Sequence, residues 1–291
     1  MKILISTDTS CIVKKGVFDG RDVSVFPLNV IVDGEEFLDG VTIDQDQLKE
    51  KMRSGSEIKT STPPLGLIIE YFEEQFKKGY DHIIHFTISS KLSSMYSLFK
   101  NVAEQNFAGK ITVIDAYSVS AEMINYVFYA LEQAKKGVSP EEIANVIESL
   151  KGKSLIHFIP ENLTALKNGG RISPAIALIG NTLGIKPVIV LKDGQLEKQE
   201  MTRREKKYLA DKIEELSKTH SIQDYDYSIV SFDANERSLE YIYEHANAIL
   251  GEGNYLTGIL PINVCAHAGP GTIGVVVTPK IDGKSLLDYV K

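Results

Sequence analysis

The strongest constraint on this chain is an alternation. Across its first two-thirds, apolar runs of strand length trade places with amphipathic stretches of helix length, the pattern of an α/β protein whose sheets are covered by helices. Residues 2–6 read as a buried strand running into the polar loop Thr7-Asp8-Thr9-Ser10. Residues 23–32 read as one strand, closed by Asp33-Gly34, a good hairpin turn into Glu35-Glu36-Phe37-Leu38. Residues 82–88 and 111–114 are further strands, each running into a polar, serine-bearing turn. Leu65, Ile69, Phe72 and Phe76 recur at helical spacing after Pro63-Pro64, and Met95, Leu98, Phe99 and Val102 make a second stripe. Ser139-Pro140-Glu141-Glu142 is a capping box leading into Ile143, Val146, Ile147 and Leu150. That helix stops at Lys151-Gly152, which divides the chain into domains 1–152 and 153–291.

The second part has a different rhythm. A strand over 155–159 is followed by a short helix ending at Asn168-Gly169-Gly170 and by an apolar helix over roughly 175–183. Residues 187–191 and 196–201 form a hairpin around Asp193-Gly194, and a charged helix begins near Arg203. Strands at 228–232, 255–260 and 274–277, with a helix over 239–250, complete the reading.

Composition excludes several classes. With 43% hydrophobic and 24% charged residues the chain is an ordinary globular protein. A net charge of −7 and no dense basic run argue against nucleic acid or anionic membrane as partners. Only two cysteines, Cys11 and Cys265, suit a reducing cytoplasm, and no stretch approaches the ~18 apolar residues of a membrane span. Of the six histidines, His82 and His85 fall on opposite faces of a strand, and Cys265 with His267 is too small a set for zinc; no metal is expected.

Three polar segments stand at element ends. Lys59-Thr60-Ser61-Thr62-Pro63-Pro64 places hydroxyls before a helix, where Thr62 either caps it or leaves N–H groups free for an anion. Ile88-Ser89-Ser90-Lys91-Leu92-Ser93-Ser94 is a serine-rich strand-to-helix turn, suited to capping or to a carboxylate or phosphate. The stretch from Asn263 to Gly274 carries His267 among glycines, which admit close backbone approach. No nucleophile elbow, phosphate loop or dinucleotide fingerprint is present.

Taken in order, these pieces resemble the DegV family of lipid-binding proteins over nearly the whole chain. The matching segments are Ser6-Thr7-Asp8-Thr9-Ser10, Phe26-Pro27-Leu28, Lys59 to Pro63, Ile88 to Tyr96 and Ile114-Asp115. Leu166-Lys167-Asn168-Gly169-Gly170-Arg171-Ile172-Ser173, Ile185-Lys186-Pro187 and His267-Ala268-Gly269-Pro270-Gly271 complete the set. The resemblance implies two α/β domains with one long-chain fatty acid in the cleft between them, no cofactor, and a role like the binding subunit of bacterial fatty acid kinase. There a separate kinase phosphorylates the acyl carboxylate. By motif, Thr60, Ser61 and Ser93 would hydrogen-bond the carboxylate and His267 would sit close to it. Arg171 and Arg203 would lie beside the site or face the partner. The chain departs from the family pattern at Thr62, where Gln is usual, and at Ala116 and Glu122, where Ser and a glycine-rich turn are usual. Met201 stands where the family has Arg before Thr202.

A buried sixteen-carbon tail would gain on the order of 12 kcal/mol at ~0.8 per CH₂, offset by ~4–15 kcal/mol of lost freedom. Ala175, Ile176, Ala177, Leu178, Ile179 and Leu183 are candidates for the tunnel wall. The alternative from another class is a hydrolase or acyltransferase using Ser93 and His267, with Asp8 or Asp115 orienting the base. A phosphate or nucleotide binder is a third.

Overall fold

The computed structural model describes residues 1–161, 163–172 and 184–290. The helix expected over 175–183, with its tunnel-wall candidates, and Ser173 lie outside the described residues. The molecule is two α/β lobes with a cleft between them.

The first lobe is built on a parallel sheet of β1 (Ile3–Asp8), β2 (Val23–Phe26), β6 (His82–Thr87) and β7 (Ile111–Asp115), in the order β2-β1-β6-β7. β1 and β6 are buried along most of their length, as central parallel strands should be. The run 23–32 is not one strand. Pro27 offers no N–H to a ladder, and the chain leaves the parallel sheet after Phe26. It then enters a small antiparallel sheet of β3 (Asn29–Val32), β4 (Glu35–Leu38) and β5 (Ile58–Ser61). The turn at Asp33-Gly34 holds, with φ of 51° and 87°. Sequence reasoning did not find β5 or the helix Gln45–Arg53, although Asp44 and Gln47 cap that helix reciprocally.

The second lobe is one six-stranded mixed sheet of β8 (Leu155–Ile159), β9 (Lys186–Lys192), β10 (Gln195–Thr202), β11 (Tyr225–Phe232), β12 (Tyr255–Ile259) and β13 (Thr272–Pro279). Its order is β10-β9-β8-β13-β11-β12, so the last strand in sequence lies centrally, antiparallel to both neighbours. β9 and β10 form the expected hairpin around Asp193 (φ 48°) and Gly194 (φ 76°).

The helix Ala121–Lys135 joins the lobes. It is buried on all sides and packs against β1 on one flank and β13 on the other. Ile5 and Ile84 of the first lobe therefore share one apolar cluster with Val230 and Val276 of the second. Glu122, one of the departures from the family pattern, is buried in this helix. The Tyr126 hydroxyl donates to it at 2.5 Å, and burial pushes its carboxyl up. The terminal helix Leu287–Val290 returns to the first lobe, where Tyr289 stacks on Phe128 at 4.6 Å and Lys14 Nζ donates to the Val290 carbonyl at 2.8 Å.

Candidate functional site

At the carboxyl edge of a parallel sheet, strand-end loops converge where ligands of α/β proteins bind. Here Asp8, closing β1, is buried and organises that edge. Its Oδ1 accepts from the Ser10 N–H at 2.9 Å and its Oδ2 from the Ile88 N–H at 2.9 Å. The Ser89 N–H bonds the Ser118 carbonyl, and Asp115 Oδ1 accepts from the N–H groups of Ser90 and Tyr117 at 3.1 and 2.8 Å. Ile88, Leu92, Ser93, Val119 and Ser120 thereby form one side of a cavity. Ser120 is held at φ 64°, a conformation L-residues adopt at a cost of ~1–3 kcal/mol, with its hydroxyl buried and unpartnered among the described residues.

The small sheet supplies Leu28, Asn29, Thr60 and Ser61, with Asn29 opposite Ser61 across the β3–β5 ladder. The second lobe supplies an apolar wall from its sheet, including Ile156, Phe158, Leu191, Leu196, Val230 and Val276. The hairpin of β9 and β10 is fastened at its tip, because Ser89 Oγ donates to the Gly194 carbonyl at 2.6 Å. A Cβ at Gly194 would fall 2.8 Å from that hydroxyl, so glycine is required by both contact and φ. About 1,020 Å³ of atom-free space results, part of it open to solvent.

Polar side chains also line this cavity. Thr60 Oγ1 lies 2.9 Å from His267 Nε2, joining the two lobes. Ser61 Oγ is buried without a partner among the described residues. Among the described residues Ser93 Oγ has only a long 3.4 Å bond from the Met95 N–H. Arg171 Nε donates to the Leu92 carbonyl at 3.1 Å, and its Nη1 bonds the Gly169 carbonyl. Thr60, Ser61, Ser93, Arg171 and His267 are all half-buried in its lining.

Burial, reinforced by the Arg171 cation, lowers the His267 imidazole to about 4, so the ring is neutral at pH 7. His267 rides on the helix Ile262–Ala268, a segment read from sequence as a glycine-rich string. That helix is anchored by Asp39, whose Oδ2 accepts from Thr9 Oγ1 at 2.8 Å and the Asn263 N–H at 3.3 Å. Desolvation raises Asp39 to about 7 and Asp8 to about 6.

The structure thus brings Thr60, Ser61, Ser93, His267 and Arg171 to one cavity. Arg203 is not among its lining residues; it stands exposed ahead of the helix Glu205–Ser217. Thr62 does not cap the helix Leu65–Lys77, and the residue preceding the helix Met95–Asn106, Ser94, makes no side-chain cap. A triad would need Asp8 or Asp115 on the imidazole, but their bonds go to Ser10, Ile88, Ser90 and Tyr117. His85 bonds Ser6 and His82 bonds Thr112, and no group of three metal-ligating side chains occurs among the described residues. Sequence reasoning missed Asn29, Ser120 and Asp39. The strand break at Pro27 was the available signal for Asn29; Ser120 carried none, since its φ is set by tertiary contacts.

Comparison with known proteins gives matches over nearly the full length. The family model described as an uncharacterised protein of the DegV family matches residues 2–280. A DegV domain-containing protein of Staphylococcus aureus is 30% identical over 282 residues, covering 96% of this chain and 99% of that protein. A solved fatty acid binding DegV family protein from Streptococcus agalactiae superposes with a TM-score of 0.84 at 28% identity, covering 97% of this chain and 100% of that one. A fatty-acid-binding DegV family protein from Thermus thermophilus gives 0.84 at 26% identity, with 96% and 100% covered. The chain belongs to the DegV family.

Proposed function

We propose that this protein binds a long-chain fatty acid in the cleft between lobes 1–152 and 153–291. The carboxylate is held by Thr60, Ser61, Ser93 and His267, and is offered to a separate fatty acid kinase for acyl-phosphate formation. The observation that carries this reading is a largely apolar cavity whose lining also holds the bonded pair Thr60–His267, Ser93, and Ser61, whose hydroxyl has no partner among the described residues. A carboxylate in a half-buried site needs donors to replace water; the hydroxyls of Thr60, Ser61 and Ser93 supply them, with the neutral imidazole of His267 orienting Thr60. Arg171, next to the ring, is placed to meet the extra negative charge of an acyl phosphate. The role needs no cofactor of the protein's own. The kinase's use of the bound acid places the protein in the cytoplasm, where buried Cys11 and Cys265 stay as free thiols. No helix among the described residues is long and apolar enough to cross a membrane.

The test is native mass spectrometry of gently purified protein with chromatography of an organic extract. A one-to-one fatty acid complex is expected; a protein that is empty and ignores added oleate or palmitate overturns the reading. Thr60→Ala and Ser93→Ala each remove a bond to a charged group worth roughly 1.5–3 kcal/mol, so each should weaken oleate binding about tenfold or more. Kinase presentation is tested separately, by acyl-phosphate formation with a cognate kinase and ATP.

A further inference from the structure

The turn Asn168-Gly169-Gly170 holds two glycines for different reasons. Gly170 has φ 70°, and its N–H and that of Arg171 return to the Lys167 and Leu166 carbonyls at 3.0 Å, which ends the helix Thr164–Asn168. Gly169 has φ −74° and ψ −12°, ordinary right-handed backbone where alanine would sit well. Its conformation does not require glycine; its surroundings do. A Cβ on Gly169 would fall 2.1 Å from His267 Nδ1 and 2.8 Å from its Cε1. The ring rests on the bare Cα, and its far nitrogen meets Thr60. The Gly169 carbonyl also accepts from Arg171.

We propose that Gly169 is a positioning residue: the missing side chain seats the His267 imidazole against the turn so that Nε2 reaches Thr60, while its carbonyl holds the Arg171 guanidinium alongside. The inference builds on the assignment of His267 to the carboxylate, but the placement of the ring can be tested without any ligand.

The experiment compares wild type, Gly169→Ala, His267→Ala and the double variant. Imidazole NMR titration reads the ring directly. In wild type His267 stays neutral to about pH 5, as its lowered value of about 4 requires. In Gly169→Ala the displaced ring should titrate nearer the ordinary ~6.5. Oleate affinity, measured by displacement of a fluorescent fatty acid, should fall roughly tenfold in Gly169→Ala, as for loss of a charge-assisted bond. In the His267→Ala background the same substitution should change it less than about twofold, because the two act through one contact. An unmoved titration in Gly169→Ala, or losses that multiply in the double variant, overturns the proposal. Should the single variant fail to fold, restored folding in the double variant supports it, and failure of both overturns it. A wild type that ignores oleate counts against the functional reading alone, and the titration still decides the role of Gly169.

Discussion

Shortening a saturated acyl chain from sixteen carbons to ten weakens binding to this protein at least a hundredfold. The expectation follows from where the cavity is apolar. Ile156, Phe158, Leu191, Leu196, Val230 and Val276 face it from the second lobe, and Leu28, Ile88, Met95 and Val119 face it from the first. Each methylene moved from water into such surroundings contributes ~0.8 kcal/mol, so six of them amount to about 3–5 kcal/mol after allowance for incomplete contact. The head group adds little to this difference, because its bonds are the same for every chain length. Displacement assays with the ten-, twelve-, fourteen- and sixteen-carbon acids should therefore give a steep, nearly linear ladder in binding free energy. A flat series would mean that the tail lies outside the cavity, and the assignment of the cleft would fail with it.

The sequence made the polar half of this site legible and left the apolar half obscure, for a physical reason. Thr60, Ser61, Ser93 and His267 lie in hydroxyl-rich or glycine-rich segments at element ends, which stand out in a linear reading, and the family resemblance picks these four from their neighbours. Val230 and Val276 look like any interior strand residue. Both belong to the cluster that binds the lobes together, and only the approach of the two sheets decides which of their faces stays open. The α/β pattern, the hairpins at Asp33-Gly34 and Asp193-Gly194 and the capping box at Ser139 are local chemistry, and the structure contains them. The split of residues 23–32 at Pro27 was readable in principle. Assignment of β2 to one sheet and β3 to another depends on partners far away in sequence. The same holds for Gly169, whose reason for being glycine is a histidine almost a hundred residues later.

Asp39→Asn should make the protein more stable, by about 2–4 kcal/mol at pH 8 and by clearly less at pH 5. Asp39 is buried at 4% exposure, and its Oδ2 accepts from Thr9 Oγ1 and the Asn263 N–H. Those two donors do not replace its lost hydration, and nearby Asp8 adds repulsion, so its carboxyl rises from 3.8 to about 7. An acid whose folded value is raised binds more protons in the native state than in the unfolded one. Stability therefore declines as pH rises between those two values and levels off above the higher one. At ~1.4 kcal/mol per pH unit the displacement sets an upper limit of roughly 4 kcal/mol, which relaxation and water penetration reduce. Asparagine keeps one carbonyl oxygen for both donors and never ionises, so it should remove the penalty while preserving the anchor of the helix that carries His267. Alanine at the same position should destabilise instead, since the Thr9 hydroxyl and the Asn263 N–H would be left buried without an acceptor. His267 works in the opposite sense: its lowered value removes stability as pH falls from about 6.5 toward 4, but it is common to both proteins and cancels in the comparison. Urea unfolding of wild type and Asp39→Asn at pH 5 and pH 8 decides the matter, and an equal gain at both would show that Asp39 carries no buried charge.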